Sequence, residues 1–178
     1  IAIDNQGLNL VTGSSDGTLR LWSRLSFQAT TLLAGHEDLI TALGFSANGD
    51  VVATASQDTS IRLWDSGTAE TIQVLRGHDT FVKCLAFSPD GQWLASGTGD
   101  RHEVAQETGK RTKLKSEIRI WTAKQGEFFT VFQHHSRYLT DMAFSPDSRF
   151  LAVASGDKTC SIWNVEEESL VATLTLDG

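Results

Sequence analysis

Four of the five tryptophans recur at a spacing that constrains the fold more than any other feature of the chain. They lie 42, 57 and 42 residues apart, at Trp22, Trp64, Trp121 and Trp163. Three histidines repeat the intervals of 42 and 57, at His36, His78 and His135. A period of about 40 residues is typical of repeat proteins in which each repeat is one supersecondary unit. The chain is therefore predicted to contain four copies of one unit.

An aspartate marks the same point in each copy. In three copies it lies six residues before the tryptophan, at Asp16, Asp58 and Asp157. In the remaining copy Asp100 lies 21 residues before Trp121, so 15 extra residues fall between these two. We place these extra residues within Arg101–Ser116, the segment that we call the insertion.

Short apolar runs with strand-like alternation surround hairpin turns of similar composition. The turns are Ser46-Ala-Asn-Gly49, Ser88-Pro-Asp-Gly91 and Ser145-Pro-Asp-Ser148. Proline presets one backbone dihedral angle, and Asn, Asp and Gly tolerate the unusual ones. A second turn at the repeated aspartate leads into the strand that ends in tryptophan, and another strand follows it. Each copy is thus predicted to have four strands.

The repeated residues resemble the Gly-His and Trp-Asp signatures of WD40 β-propellers. The resemblance is carried by Gly35-His36 with Trp64-Asp65, and by Gly77-His78 with Trp121. The chain departs from the signature in having His134 in place of the glycine, and only Asp65 keeps the second aspartate. The resemblance implies an all-β propeller of four-stranded antiparallel blades, here a single region with blades at about 1–34, 35–76, 77–133 and 134–178. Four blades imply either part of a longer chain or two chains paired into an eight-bladed ring.

The resemblance also implies a hydrogen-bonded tetrad in each complete blade, which ties the loops to the strands. It assigns the tetrads to His36, Thr54 or Ser56, Asp58 and Trp64; to His78, Ser96 or Thr98, Asp100 and Trp121; and to His135, Ser155, Asp157 and Trp163. A Ser-His-Asp catalytic triad is the rival interpretation. Recurrence in every blade favours the structural role, so no catalytic residue is predicted.

No metal or cofactor site is predicted from the remaining residues. Cys84 and Cys160 lack a CxxC spacing and are expected to pack in strands. His134 and His135 are adjacent, but no further Cys or His pair is spaced to complete a metal site. No phosphate-binding GxxxxGK[ST] motif is present.

In the family, partners often dock beside the Gly-His and just before the turn aspartate. Carried over, these positions are Glu37, Leu39, Gln57, Asp79, Phe81, Ser136 and Tyr138, with Ser15, Gly99 and Gly156. Aromatic residues on a rim are typical of interface hot spots. The alternative that Leu39, Phe81 and Tyr138 pack between blades carries nearly equal weight.

The insertion is basic, whereas the chain as a whole is acidic, with a net charge of −7. The segment carries +3, which leaves −10 on the remainder; its cationic residues are Arg101, Lys110, Arg111, Lys113 and Lys115. It could contact an acidic protein or nucleic-acid phosphates. Its polar composition slightly favours a solvated, disordered loop instead.

These features favour a non-catalytic scaffold or adaptor that binds other proteins or peptides. The alternatives are a nucleic-acid- or chromatin-associated subunit that uses the insertion, or the regulatory propeller of a larger enzyme. The acidic charge disfavours nucleic acid, and no apolar run reaches the roughly 18 residues of a membrane span. An intracellular location, cytoplasmic or nuclear, is expected from the cysteine usage.

Overall fold

The chain forms four separate four-stranded antiparallel sheets, each of which we call a blade. The computed structural model describes residues 1–23, 28–33, 35–99, 102–104, 111–113 and 116–175, and only the backbone of 28–33, 102–104 and 111–113. Within each blade the strands are hydrogen-bonded in chain order, and we call them a, b, c and d. The described residues contain no helix, so the predicted all-β architecture of four blades is confirmed. No helix long and apolar enough to span a membrane occurs among them.

The strands of the first two blades follow the predicted order. Blade 1 consists of β1 (Ala2–Ile3), β2 (Asn9–Gly13), β3 (Leu19–Ser23) and β4 (Gln28–Leu33). Blade 2 consists of β5 (Ile40–Phe45), β6 (Val51–Ser56), β7 (Ile61–Asp65) and β8 (Thr71–Leu75).

Blade 3 contains the insertion between its b and c strands. The blade consists of β9 (Val82–Phe87), β10 (Trp93–Thr98), β13 (Glu117–Thr122) and β14 (Phe128–Gln133). Within the insertion lie β11 (His102–Val104) and β12 (Arg111–Lys113). Blade 4 consists of β15 (Leu139–Phe144), β16 (Phe150–Ser155), β17 (Thr159–Asn164) and β18 (Ser169–Thr175).

The a–b turns close as their composition predicts. In blade 2 the Gly49 N–H donates to the Ser46 carbonyl at 2.9 Å, and Gly49 has a φ of 81°. In blade 4 Ser148 takes the glycine position with a φ of 63°. Its hydroxyl accepts a bond from the Asp90 N–H at 3.0 Å, which links the a–b turns of blades 3 and 4. Serine adopts this positive φ less easily than glycine does, but its hydroxyl makes a hydrogen bond between the two blades.

Blades stack side by side, and the apolar core lies between them. Three clusters of buried side chains join blades 1 and 2, blades 2 and 3, and blades 3 and 4. In each interface the later blade supplies the tryptophan at the end of its c strand, namely Trp64, Trp121 and Trp163. Strand β6 is buried along its whole length, whereas β16 is buried only at alternate residues. Inner blades therefore bury both faces, and blade 4 buries one.

Candidate functional site

His36 stands at the centre of a buried hydrogen-bonded chain in blade 2. Its Nδ1 lies 2.8 Å from Asp58 Oδ2, and its Nε2 lies 2.8 Å from Thr54 Oγ1. The Trp64 indole N–H donates to the same hydroxyl oxygen at 2.9 Å. Because a carboxylate only accepts and an indole only donates, the imidazole donates from Nδ1 and the threonine donates to Nε2. In this series of hydrogen bonds, from the Asp58 carboxylate to the Trp64 indole, each side chain therefore has a partner.

The Asp58 carboxylate joins the loop that precedes blade 2 to the b–c turn of that blade. It accepts bonds from the Glu37 N–H at 3.1 Å and from the Ser60 N–H at 2.8 Å. Burial opposes ionisation of this group, but bonds from Ser60 and His36 outweigh it and hold the pKa of Asp58 at about 2. Ser56, the alternative tetrad hydroxyl, instead donates to the Asp38 carbonyl at 3.0 Å. Of the two predicted hydroxyls, Thr54 is therefore the one that contacts the histidine.

Blade 3 repeats the part of this arrangement formed by the histidine, the hydroxyl and the indole. His78 Nε2 lies 2.7 Å from Ser96 Oγ, and the Trp121 indole N–H donates to that oxygen at 2.8 Å. The Thr98 hydroxyl, the other candidate, accepts from the Glu117 N–H at 2.9 Å instead. The predicted fourth member, Asp100, lies outside the described residues.

Blade 4 draws its hydroxyl from a different strand, and here the prediction of Ser155 is wrong. His135 Nε2 lies 2.7 Å from Ser161 Oγ on strand c, and the Trp163 indole N–H donates to that oxygen at 2.9 Å. His135 Nδ1 lies 3.3 Å from Asp157 Oδ2. Ser155 instead donates to the Tyr138 carbonyl at 3.2 Å. The error has a physical cause, because residue 153, which occupies the Thr54 position, is a valine without a hydroxyl.

Blade 1 has three of the four groups, namely the hydroxyl, the aspartate and the tryptophan. The Trp22 indole N–H donates to the Thr12 hydroxyl at 2.9 Å, a pair that the sequence analysis did not assign. The ten-residue interval between Thr12 and Trp22, equal to that between Thr54 and Trp64, would have identified it. Asp16 accepts from the Thr18 hydroxyl at 2.7 Å, so its turn closes on itself.

The order carboxylate, imidazole, hydroxyl is that of a catalytic triad, but the hydroxyl oxygen is not accessible to a substrate. Thr54, Ser96 and Ser161 are each 0% exposed. One lone pair of each oxygen is already engaged by an indole N–H, and no substrate reaches a fully buried atom. The repeated groups hold loops to strands.

Cys84 is a buried thiol in the cluster between blades 3 and 4. Burial, with the Asp141 charge second, raises the pKa of the Cys84 thiol to about 12, so it stays protonated at neutral pH. Within the part of the chain that the structure describes, no three His, Cys, Asp or Glu side chains come together as a metal site.

The predicted partner-binding residues outside the insertion lie at one end of the blades, where d–a loops meet b–c turns, and we call this end the top face. Blades 2, 3 and 4 each pair the two positions through one backbone bond, with an N–H donating to a carbonyl at 2.9 to 3.0 Å. The pairs are Gln57 with Leu39, Gly99 with Phe81, and Gly156 with Tyr138. The positions are thus held by the same geometry in three blades.

The side chains at these positions differ in exposure. Glu37, Gln57, Asp79, Ser136 and Ser15 are exposed, whereas Leu39, Phe81 and Tyr138 are half-buried. The Phe81 ring lies so close over Gly99 that a Cβ built there would be 1.9 Å from it, and Tyr138 covers Gly156 in the same way at 2.6 Å. Lys83 Nζ lies 4.7 Å from the centre of the Tyr138 ring. The aromatic residues combine intramolecular packing with partial exposure.

The insertion contains a short antiparallel ladder. His102 pairs with Lys113, and Val104 pairs with Arg111. The favoured expectation of a disordered loop is wrong for these two strands. Arg101, Lys110 and Lys115 lie outside the described residues, so the structure places only the backbone of Arg111 and Lys113 among the predicted cations.

Comparison with known proteins gives one family and several partial relatives. The WD40 family, described as WD domain, G-beta repeat, matches residues 1–23, 27–65, 69–102 and 126–164. The chain is 38% identical over 52 residues to a periodic tryptophan protein 2 homolog of Dictyostelium discoideum, covering 29% of the chain and 6% of that protein.

Two further relatives are matched over similarly short stretches. The target of rapamycin complex subunit LST8 of Bos taurus is 45% identical over 42 residues, 24% of the chain and 13% of that protein. A coronin-like protein of Saccharomyces cerevisiae is 28% identical over 71 residues, 40% of the chain and 11% of that protein. The matched part of the chain thus spans only a small part of the length of these relatives.

Proposed function

Because the chain belongs to the WD40 family, WD domain, G-beta repeat, we propose that it is a non-catalytic scaffold that binds protein or peptide partners through its top face. Proteins of this family are in general non-catalytic scaffolds. The family membership supports protein interaction as the general role, and the top face as the place is our proposal.

The observation that carries this proposal is the difference between what repeats and what varies on the top face. The tetrads and the backbone bonds beneath it recur from blade to blade, as with Gln57 to Leu39 and Gly156 to Tyr138. The exposed side chains mounted on them vary, since Glu37 and Asp79 are acidic whereas the equivalent Ser136 is neutral. A constant frame with variable exposed groups is suited to recognition rather than to one chemical step.

Charge is distributed unevenly over this face. Exposed Asp16, Glu37 and Asp38 lie on blades 1 and 2, and exposed Arg76 and Asp79 lie together in the loop between blades 2 and 3. Exposed Arg137 and Lys158 lie on blade 4. A partner segment with a basic end and an acidic end would match both, and such complementarity increases association rate and fixes orientation.

The name of one relative agrees with this role. LST8 is by its name a subunit of a complex. We extend from it only the general role of holding other proteins.

The proposal is tested by capturing partners from the cells that express the chain, with quantitative mass spectrometry as the readout. Asp79→Lys and Tyr138→Ala change the top face, and Glu127→Lys is the matched control because it reverses an exposed acidic charge in the c–d turn at the opposite end. We expect both top-face variants to lose the same partners at least about tenfold, as removal of a hot spot does, and the control to keep them.

The outcomes separate the alternatives. Partners that resist both top-face variants and disappear with Glu127→Lys would contradict the proposal. Captured nucleic acid whose binding weakens with salt and disappears on deletion of residues 104–115 would favour the alternative based on the basic insertion.

A further inference from the structure

A crevice opens between blades 2 and 3 at the end of the blades opposite the top face, and we call it the lower crevice. It consists of two adjoining cavities of about 180 and 390 Å³, which share Asp50, Val51 and Lys124 in their lining. The smaller cavity lies between the a–b turns of the two blades, and the larger one extends to the c–d turn of blade 2 and to Ile72 on its d strand. Pockets of a few hundred Å³ are large enough to hold a small ligand or one side chain of a partner.

The equivalent positions of the next blade are occupied by two aromatic rings. Trp93 follows the a–b turn of blade 3 as Val51 does in blade 2, and Phe129 lies eight residues after Trp121 as Ile72 does after its tryptophan. The Trp93 and Phe129 ring centres lie 4.7 Å apart, and Trp93 packs against the cluster that joins blades 3 and 4. In blade 2 the smaller aliphatic side chains leave this space open, and Ile72 is 41% exposed. The lower crevice therefore distinguishes one junction of the repeat from the next.

The walls of the crevice suit an aliphatic side chain. Val51 and Ala123 form its floor and are 8% and 2% exposed, and Ile72 forms one side. Long side chains that end in a charge bury their methylene stem on such surfaces and keep the charged group at the edge. A basic side chain of a partner has this construction.

The border of the crevice is acidic. It carries three carboxylates and one ammonium group, a net charge of −2, from Asp50, Asp65, Asp90 and Lys124. Lys124 forms no ion pair with another residue in the part of the chain that the structure describes. The border therefore attracts a cation and repels anions such as nucleic-acid phosphates.

Two of the carboxylates are held in place and still have an oxygen for a ligand. Asp90 Oδ1 accepts from the Ser88 hydroxyl and from the Gln92 N–H, and Asp50 Oδ2 accepts from the Asn48 amide at 2.7 Å. Neither Asp90 Oδ2 nor Asp50 Oδ1 accepts a hydrogen bond from a described residue. No three acidic side chains within the described ranges come together as a metal site. The arrangement thus fits an elongated organic cation better than a metal ion.

We propose that the lower crevice binds an arginine side chain of a peptide or protein partner, with its stem on Val51 and Ile72 and its guanidinium at Asp50. Asp50 lines both cavities, so one carboxylate serves a guanidinium that enters from either side. Arginine fits better than lysine, because its planar group pairs with a carboxylate through two parallel hydrogen bonds and is more weakly hydrated. The crevice lies at the end opposite the top face, so this inference is independent of the proposed function.

Amide NMR of the isotope-labelled 178-residue chain, titrated with a short peptide, tests the proposal. The probe is acetyl-Ala-Leu-Arg-Leu-Ala-amide, and the matched probe has citrulline, a neutral group of the same shape, in place of the arginine. We expect the amide signals of Gly67 and Gly91 in the crevice to shift, and those of Gln57 and Gly156 on the top face to stay. The arginine peptide should bind at least about tenfold more tightly than the citrulline peptide, because hydrogen bonds between charged groups are about twice as strong as neutral ones.

Asp50→Asn removes the charge but keeps an oxygen for the Asn48 amide, so the a–b turn should persist. It should weaken binding of the arginine peptide at least about tenfold. Glu127→Gln is the matched control, because Glu127 is an exposed acid in the same c–d turn as Lys124 but does not line the crevice. It should change the affinity by less than about twofold, since salt screens exposed charges that make no contact.

The double variant Val51→Trp with Ile72→Phe gives blade 2 the aromatic pair of blade 3 and should abolish binding by filling the crevice. Circular dichroism checks that its strand content is unchanged. Absence of binding at millimolar peptide, equal affinity for the two peptides, or binding that survives both Asp50→Asn and the filled crevice would overturn the proposal.

Discussion

Val153 pairs with Ser161 across the two central strands of blade 4. At this register position the other blades pair a hydroxyl on strand b with an arginine on strand c: Thr12 with Arg20, Thr54 with Arg62, and Ser96 with Arg119. In blade 4 the hydroxyl lies on strand c instead of strand b, at the position where the other blades have an arginine. The tetrad survives because both positions lie within reach of the histidine and the tryptophan.

His134 is part of the same exchange. In blades 2 and 3 its position is a glycine packed against the arginine: a Cβ at Gly35 would lie 2.8 Å from Arg62 Nη1, and one at Gly77 would lie 2.9 Å from Arg119 Nη1. With serine in place of the arginine, blade 4 has room for an imidazole, whose Nε2 lies 3.0 Å from Thr173 Oγ1. Three departures from the repeat are thus one coordinated change.

Ser161→Ala should therefore destabilise the protein more than the removal of one hydroxyl group suggests. The change leaves His135 Nε2 and the Trp163 indole N–H buried without a partner, and each unsatisfied group costs about 1–3 kcal/mol. Urea denaturation followed by tryptophan fluorescence gives the free energy of unfolding. The double variant Val153→Ser with Ser161→Ala puts the hydroxyl back where blade 3 has it and should recover most of the loss. No recovery in the double variant would contradict the exchange.

Gly99→Ala should displace the Phe81 ring, which covers this glycine more closely than any side chain allows. Overpacking of this kind typically costs about 1–3 kcal/mol. In the Phe81→Ala background the added methyl group meets no ring, so Gly99→Ala should then cost much less. A double-mutant cycle on the free energy of unfolding measures the difference, and additive effects would show that the ring and the glycine do not interact.

The repeat and the four-stranded blades could be predicted because they depend on periodic residues, and the tryptophans alone give the period. The hydroxyl of blade 4 could not, because Ser155 and Ser161 are both serines near the aspartate and only the strand register distinguishes them. The sequence also leaves the roles of Phe81 and Tyr138 open, since the exposure of each ring depends on how closely it packs on Gly99 or Gly156. Spacing gives the order of the strands, whereas side-chain contacts require the coordinates.

Stability should fall as the pH is lowered from 7.5 to 5. Burial, with the Arg119 charge second, lowers the pKa of His78 to about 3 from an ordinary 6.5, so the unfolded chain binds a proton in this window and the folded chain does not. By linkage this histidine alone removes about 2 kcal/mol over that interval. Burial also lowers the pKa of His36 and His135, which adds in the same direction. Asp58 and Asp157, with pKa values of about 2, contribute their loss only below about pH 4.

Urea unfolding at pH 7.5 and pH 5 checks this, with pH 8.5 as the control at which stability should match pH 7.5. His78→Gln should reduce the difference between pH 7.5 and pH 5 by about 2 kcal/mol. Equal stability of the original chain at pH 5 and pH 7.5 would mean that the histidines are not held neutral in the fold.

Phe132 stacks on Trp163 across the interface between blades 3 and 4, with ring centres 4.4 Å apart and planes 7° from parallel. Phe132 is 4% exposed, so Phe132→Ala opens a cavity and should cost about 3–5 kcal/mol. Blade 2 provides the control, because Leu75 occupies the equivalent position in the cluster that contains Trp121. Phe132→Leu should accordingly cost less than about 1.5 kcal/mol, as near volume-conserving changes do. If Phe132→Leu unfolds at the same urea concentration as the original chain, the stacked ring has no stabilising role beyond that of a leucine, and the aromatic pair is not what joins these two blades. If Phe132→Leu instead costs as much as Phe132→Ala, the expectation that a leucine can replace the ring is wrong.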